Sequence, residues 1–240
     1  STANGLPDNI VMKLLGCDNK TMWAGMQDGG ICTIDFETHS VTIPEAVSKW
    51  SYGQVNDLIV VGNRLWAGTE DQGVIAVDLN PPFLSRAYTN FSGVNYLKIN
   101  KLLGDSEGNV WFASNNVLLQ SPGEKLEILP VEKDKNYSNI PSILCDNTGN
   151  VWFSNDNGLF FINRKLSSNN KPQQILSLAD YRGMKIISLY QDNLGFIWLG
   201  TFGDGLLRIH PATKAITRYS AADGLANGNI LSITGFKNEV

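Results

Sequence analysis

Five of the six tryptophans recur in one phrase, and their near-equal spacing constrains the fold more than any other feature of the chain. Trp23, Trp66, Trp111, Trp152 and Trp198 follow one another at intervals of 43, 45, 41 and 46 residues, in phrases such as Arg-Leu-Trp-Ala-Gly and Asn-Val-Trp-Phe-Ser. A glycine stands six or seven residues beyond the Trp in four of the five units, at Gly30, Gly73, Gly158 and Gly205. The third unit has Asn116 in that role, and Asn tolerates positive φ better than most other residues with a side chain. An apolar run then ends at Asp35, Asp78, Asn163 or His210. The sixth tryptophan, Trp50, lies outside this register, in the approach to the second unit.

Each interval contains four short runs of β-branched and aromatic residues separated by turn clusters. In the fifth unit these are Ile186–Gln191, Phe196–Thr201, Leu206–His210 and Ala215–Tyr219. Asp105-Ser-Glu-Gly108, Asp146-Asn-Thr-Gly149 and Asp192-Asn-Leu-Gly195 join the first two runs with hairpin chemistry, and the first two units have shortened versions. No segment sustains a helical period, which disfavours helix-pair repeats. Two residues after each Trp stands a small residue, Gly25, Gly68, Ala113, Ser154 or Gly200. Period 2 puts it on the Trp side of its strand, leaving a notch for a neighbouring sheet. The expected fold is all-β, a β-propeller of four-stranded antiparallel blades. It is read as a single propeller segment over 1–240, with repeats at about 5–50, 51–94, 95–138, 139–183 and 184–222 and a partial sixth at 223–240. Because the opening strand recurs at Ile230–Thr234, the chain looks like a cut array whose exposed blade faces favour self-association.

Composition removes several function classes. Against 23 acidic residues stand 19 basic ones, and a net charge of −4 gives no footprint for nucleic acid. Runs such as Leu58–Val61 fall far short of the roughly 20 apolar residues of a membrane span, so contact with a membrane is expected only through segments outside this chain. Ser1–Asn9 shows neither the basic nor the apolar part of a signal peptide. Cys17 and Cys32 fall on non-adjacent strands of one unit and Cys145 lies three units on, so no disulfide framework is expected. There is no His-x-x-x-His or Cys-x-x-Cys cluster, and no metal or other cofactor is expected.

The phrase Ile-x-x-Leu-x-x-Asp-x-x-Gly-x-Ile-Trp-x-Gly-Thr, followed by Gly-Leu-x-x-Ile and carried by Ile186–Ile209, resembles the two-component-regulator propeller repeat. So does Asp223-Gly-Leu-Ala-Asn-Gly-Asn-Ile230, echoed by Asn4-Gly-Leu-Pro-Asp-Asn-Ile10. The resemblance implies the extracytoplasmic, periplasmic sensor region of a hybrid two-component histidine kinase. In gut bacteria such sensors detect glycan fragments and signal as homodimers through a membrane helix. The kinase, receiver and DNA-binding parts are not in this sequence.

If the four strands alternate in direction, the second-to-third loops and the interblade connections share one face. That face would carry Asp28, Asp71, Asp156 and Asp204 from the loops, with Trp50, Tyr52, Tyr96, Tyr137, Tyr181 and Arg182 from the connections. Carboxylates and amides suit sugar hydroxyls, and aromatic rings suit sugar C–H faces, so these are the candidate oligosaccharide-binding residues. Their bland alternatives are turn formation for the aspartates and edge packing for the rings. Propellers also host glycosidases and lyases, so a carbohydrate-active enzyme and a protein-interaction scaffold stand as alternatives. The Asp-x-x-Gly-x-x-Trp hairpin resembles the sialidase Asp-box, a structural turn in those enzymes. His39 and His210 sit in turns, no cysteine has a basic partner, and no catalytic residue is assigned.

Overall fold

The computed structural model describes the chain except residues 17–18, 50–52, 81, 83, 92–93, 96–97, 116, 122–126, 129–138, 164–170, 178–183 and 236–240. It forms two compact units, one of residues 1–114 and 119–128, the other of 115–118 and 129–240. The architecture is an all-β propeller fold of five four-stranded antiparallel sheets, each with its strands in sequence order.

The first unit holds three sheets. The first comprises β1 (Val11–Gly16), β2 (Thr21–Met26), β3 (Ile31–Asp35) and β4 (Val41–Thr42). A single helical turn, α1 (Glu45–Ser48), leads to the second sheet: β5 (Val55–Val61), β6 (Arg64–Thr69), β7 (Val74–Asp78) and β8 (Ser85–Tyr88). Four residues are too few for a periodic signal, so α1 is not legible in the sequence. A two-residue ladder of β9 (Asn90–Phe91) and β10 (Val94–Asn95) precedes the third sheet. That sheet comprises β11 (Ile99–Gly104), β12 (Val110–Ser114), β13 (Leu118–Ser121) and β14 (Glu127–Ile128).

The second unit holds two sheets. One comprises β15 (Ile143–Cys145), β16 (Val151–Asn155), β17 (Gly158–Ile162) and β18 (Gln173–Ser177). The other comprises β19 (Lys185–Gln191), β20 (Ile197–Phe202), β21 (Leu206–Ile209) and β22 (Ile216–Tyr219), each within a residue or so of the expected bounds. Ile230 extends the pattern: its N–H donates to the Thr201 carbonyl at 2.8 Å and it sits over Gly200 as Val55 sits over Gly25, while Ile186 holds the place opposite Thr201 that Val11 holds opposite Met26.

Sheets pack through the notch anticipated beside the Trp at Gly25, Gly68, Ser154 and Gly200. A Cβ built on Gly25 would come within 2.6 Å of Val55, and one on Gly68 within 2.5 Å of Ile99, both from the first strand of the following sheet. In the second unit the Ser154 hydroxyl donates to the Ile186 carbonyl at 3.1 Å, and Gly200 lies under Ile230. Val55, Ile99 and Ile186 are at most 1% exposed. Each contributes roughly 1.5–3 kcal/mol by burial alone.

The Asp-x-x-Gly hairpins act as clamps. The indole N–H groups of Trp111, Trp152 and Trp198 donate to Oδ2 of Asp105, Asp146 and Asp192 at 2.8, 2.8 and 2.7 Å. Oδ1 of the same carboxylates accepts the backbone N–H groups two and four residues on. One side chain therefore closes the turn and fixes the Trp rotamer. Burial pushes the Asp146 carboxyl up, but hydrogen bonds from Trp152, Thr148 and Asn150 outweigh it and hold the group below 3.8. The turn glycines answer to a further constraint. Gly73 has φ +71, and a Cβ there would strike the Tyr88 carbonyl of the fourth strand. Asn116, the residue in that role in the third unit, lies outside the described residues.

Two outcomes follow from this packing. Gly73→Ala costs about 2–4 kcal/mol in urea unfolding, strain and collision together, whereas Gly62→Ala, at φ +59 with open space around it, costs about 1 kcal/mol. Asp146→Asn weakens the clamp by about 2–3 kcal/mol near neutral pH. Because the folded state depresses this carboxyl, its contribution is complete above the unfolded value near 3.8 and disappears as pH falls through the lower folded value. Stability measured against pH below 4 is therefore flatter in the variant.

Candidate functional site

The second-to-third loops run beside the chain that enters the first strand of each sheet. Gln27 N–H donates to the Ile10 carbonyl and Glu70 N–H to the Gln54 carbonyl, both at 3.0 Å. In the second unit, Gly203 and Gly205 N–H both donate to the Gly228 carbonyl. Loops and connections therefore share a face, as strand alternation requires.

In the first unit this face carries a polar cluster where β5 and β11 begin. The first strands of four sheets have a register shift, at Val11/Lys13, Val55/Asp57, Ile99/Lys101 and Ile186/Ser188. The inserted residue is re-aimed out of the ladder. In β5 that residue is Asn56. Its amide nitrogen donates to Glu70 Oε2 at 3.0 Å and to the Ile99 carbonyl at 2.9 Å, and its oxygen accepts from Gln54 Nε2 at 2.6 Å. Lys98 Nζ reaches Glu70 Oε1 at 2.8 Å. Burial raises the Glu70 carboxyl, but hydrogen bonds from Lys98 and Asn56 and the Lys98 charge outweigh it and hold it below 4.5. Gly53 has φ +113, and a Cβ there would come within 2.8 Å of Gln72 Nε2 and 3.3 Å of Asp71 Oδ1. Amide, carboxylate and ammonium groups thus meet within one short arc of surface. Beneath it the 3%-exposed Asp57 accepts Leu102 N–H at 2.9 Å and pairs with Lys13 at 2.7 Å, tying three sheets together.

The other loop aspartates are engaged separately. Asp28 N–H donates to Asp8, and that bond, with others from the backbone, lowers the Asp8 carboxyl although burial opposes it. Asp156 Oδ1 accepts from Asn139 Nδ2 at 3.2 Å, and Asp204 pairs with Arg218. Phe202 projects beside Asp204, 58% exposed. Of the predicted site residues, Asp71 lies at the polar cluster and Asp28 at the N-terminal segment of the first unit, while Asp156 and Asp204 belong to the second. Trp50, Tyr52, Tyr96, Tyr137, Tyr181 and Arg182 lie outside the described residues. Sequence reading overlooked Gln54, Asn56 and Lys98. The available signal was polarity on either side of the buried β-branched residue, where other units carry Met12 or Ile187. Among the described residues Cys32 is a free thiol, the Cys145 thiol donates to the Asp146 carbonyl at 3.7 Å, and no helix is long and apolar enough to cross a membrane.

Residues 180–203 match the family described as two component regulator propeller. This match overlaps the Ile186–Ile209 phrase. No curated protein sequence matches the chain. Among solved structures, the chain is similar to the extracellular domain of BT4673 from B. thetaiotaomicron. One structure describes that protein as a one component system (TM-score 0.76, 20% identity) and another as a hybrid two component system (TM-score 0.74, 21% identity). The alignments cover 95% and 93% of this chain but 30% of each neighbour, so the chain spans under a third of their length. PorZ of Porphyromonas gingivalis, a component of the type-IX secretion system, aligns with a TM-score of 0.70 at 14% identity, over 94% of this chain and 35% of that one. At these identities the likeness is one of fold.

The Glu70 arrangement predicts a measurable coupling. Lys98→Met removes both the hydrogen bond and the positive charge, leaving burial less opposed, so the Glu70 carboxyl titrates higher than in the parent protein. Carboxyl-resolved NMR titration reads the shift directly, and Lys98→Arg retains the lower value.

Proposed function

We propose that this chain is the ligand-sensing propeller region of a periplasmic hybrid two-component sensor, and that it binds oligosaccharide at the loop face without transforming it. The cluster of Gln54, Asn56, Glu70 and Lys98 carries this reading. It offers amide donors and acceptors, a fixed carboxylate and an ammonium at bond distances already optimised among themselves. Vicinal hydroxyls recognise such a preorganised set by replacing water on its outer side. In the sequence, Trp50 and Tyr52 stand three residues and one residue before Gly53 and would supply an aromatic platform for a sugar ring.

The same geometry argues for binding over hydrolysis. A glycosidase needs one carboxyl kept protonated as general acid, and Lys98 and Asn56 hold Glu70 charged. Its role is therefore that of an acceptor. The sequence match over 180–203 and the propeller fold support a sensor assignment. Signalling would follow from a ligand that prefers one of two arrangements of the sensor dimer, with a shift limited to that difference in affinity.

Calorimetry against a glycan panel, with chromatography of the recovered ligand, tests the proposal. Saturable binding of an oligosaccharide recovered intact is expected, weakened about tenfold or more by Asn56→Ala or Glu70→Gln and also reduced by Trp50→Ala. Release of shortened products would replace the sensor with an enzyme. Failure of the whole panel, with a mass that rises with concentration, would replace it with an interaction scaffold.

A further inference from the structure

Three of the repeated tryptophans carry a basic side chain over the indole ring. Arg64 lies 5.6 Å from the ring centre of Trp66, Lys214 lies 5.0 Å from that of Trp152, and Arg208 lies 5.5 Å from that of Trp198. Among the described residues none of the basic groups is stacked on Trp23. Instead a cleft of about 700 Å³ opens beside it, in the size range of small-molecule sites.

The cleft and the Lys214 contact occupy the same place in the repeat. Lys214 belongs to the hairpin between β21 and β22 and reaches back to the preceding sheet. There its ammonium lies over Trp152 and over Phe161, the residue paired with Trp152 on the neighbouring strand. In the first unit, Trp23 pairs with Thr33, and the cleft is lined by both. Its opposite wall is the corresponding hairpin between β7 and β8, contributing Val77, Asp78, Leu79 and Leu84. His210 N–H bonds to the Ala215 carbonyl just as Asp78 N–H bonds to that of Leu84, which fixes the alignment. Between Asp78 and Ser85 the sequence has no lysine or arginine. Where the second unit places Phe161 and Lys214, the first has Thr33 and, among the described residues, no cation over the ring, and the cleft lies at that place.

We propose that this cleft is a binding site for a small organic cation, an ammonium on an aliphatic stem with the chemistry of the Lys214 side chain. It is distinct from the loop-face cluster, since none of Gln54, Asn56, Glu70 or Lys98 lines it; its walls are β2, β3, the connection carrying α1 and the hairpin between β7 and β8. Val77, Leu79 and Leu84 receive the stem, and the Trp23 ring receives the charge. Glu45 and Asp78 add carboxylates, but Arg64 pairs with Asp78 at 2.7 Å and Lys49 also lines the cleft. The charges of the walls therefore offset one another, and the ring face carries the discrimination between a cation and its neutral analogue.

Titration with n-pentylammonium, followed by NMR on the whole chain, tests this against n-pentanol, which has the same stem without the charge. Saturable millimolar binding of the amine is expected, with the alcohol weaker by about threefold to tenfold. Site-specific incorporation of mono-, di- and trifluorotryptophan at position 23 withdraws charge from the ring with little change in shape, and stepwise weakening of amine binding is expected. Lys214→Ala uncovers the Trp152 and Phe161 faces and adds a second equivalent of bound amine. Nα-acetyl-lysine methylamide separates the sources: its binding extends the site to lysine side chains of a partner, and its exclusion restricts it to free amines, either result supporting a cation site. Equal affinity for amine and alcohol, indifference to ring fluorination, or no saturable binding would overturn the proposal.

Discussion

The contact on which the architecture depends is the seating of a β-branched side chain over a residue too small to resist it. Val55 over Gly25, Ile99 over Gly68 and Ile230 over Gly200 repeat one arrangement. The second unit keeps the geometry at Ser154 by adding a hydrogen bond to the Ile186 carbonyl. Everything nearer the loops inherits its position from this seat. The first strand is pinned at its β-branched residue, and the register shift immediately after it turns the next residue out of the ladder. Asn56 reaches Glu70 because Val55 is fixed.

The two ends of the strands solve different problems. At the hairpin end, Asp105, Asp146 and Asp192 spend both carboxylate oxygens on their own turn and their own Trp, leaving little for a ligand. At the loop end the polar groups are shared between segments far apart in sequence, so their arrangement responds to how neighbouring sheets meet. The sensing role proposed for this face would need that kind of shared surface, because a ligand can couple only to what differs between two arrangements. The hairpin end binds only where its internal filling is missing, and the cleft beside Trp23 is such a place.

Much of the fold was legible from five tryptophans and the small residues beside them, because steric periodicity is a local property that each unit states independently. The five sheets, the antiparallel order and the turn role of the Asp hairpins all follow from it. The loop-face reading was coarser. Asp71 falls at the polar cluster, whereas Asp28 interacts with Asp8, Asp156 with Asn139 and Asp204 with Arg218. The sequence marks aspartates that close turns and aspartates that face a ligand with the same letters.

The sequence by itself determined the repeat, the strand alternation and the face each loop would occupy, since spacing and turn chemistry act within a few residues. Only the tertiary structure decided which side chains meet. Gln54, Asn56, Glu70 and Lys98 come from three chain segments, and Lys214 covers a tryptophan 62 residues earlier. Arg64 and Arg208 reach rings of their own sheet, but Lys214 reaches Trp152 from a hairpin of the next, a relation that appears only when one sheet is laid against another.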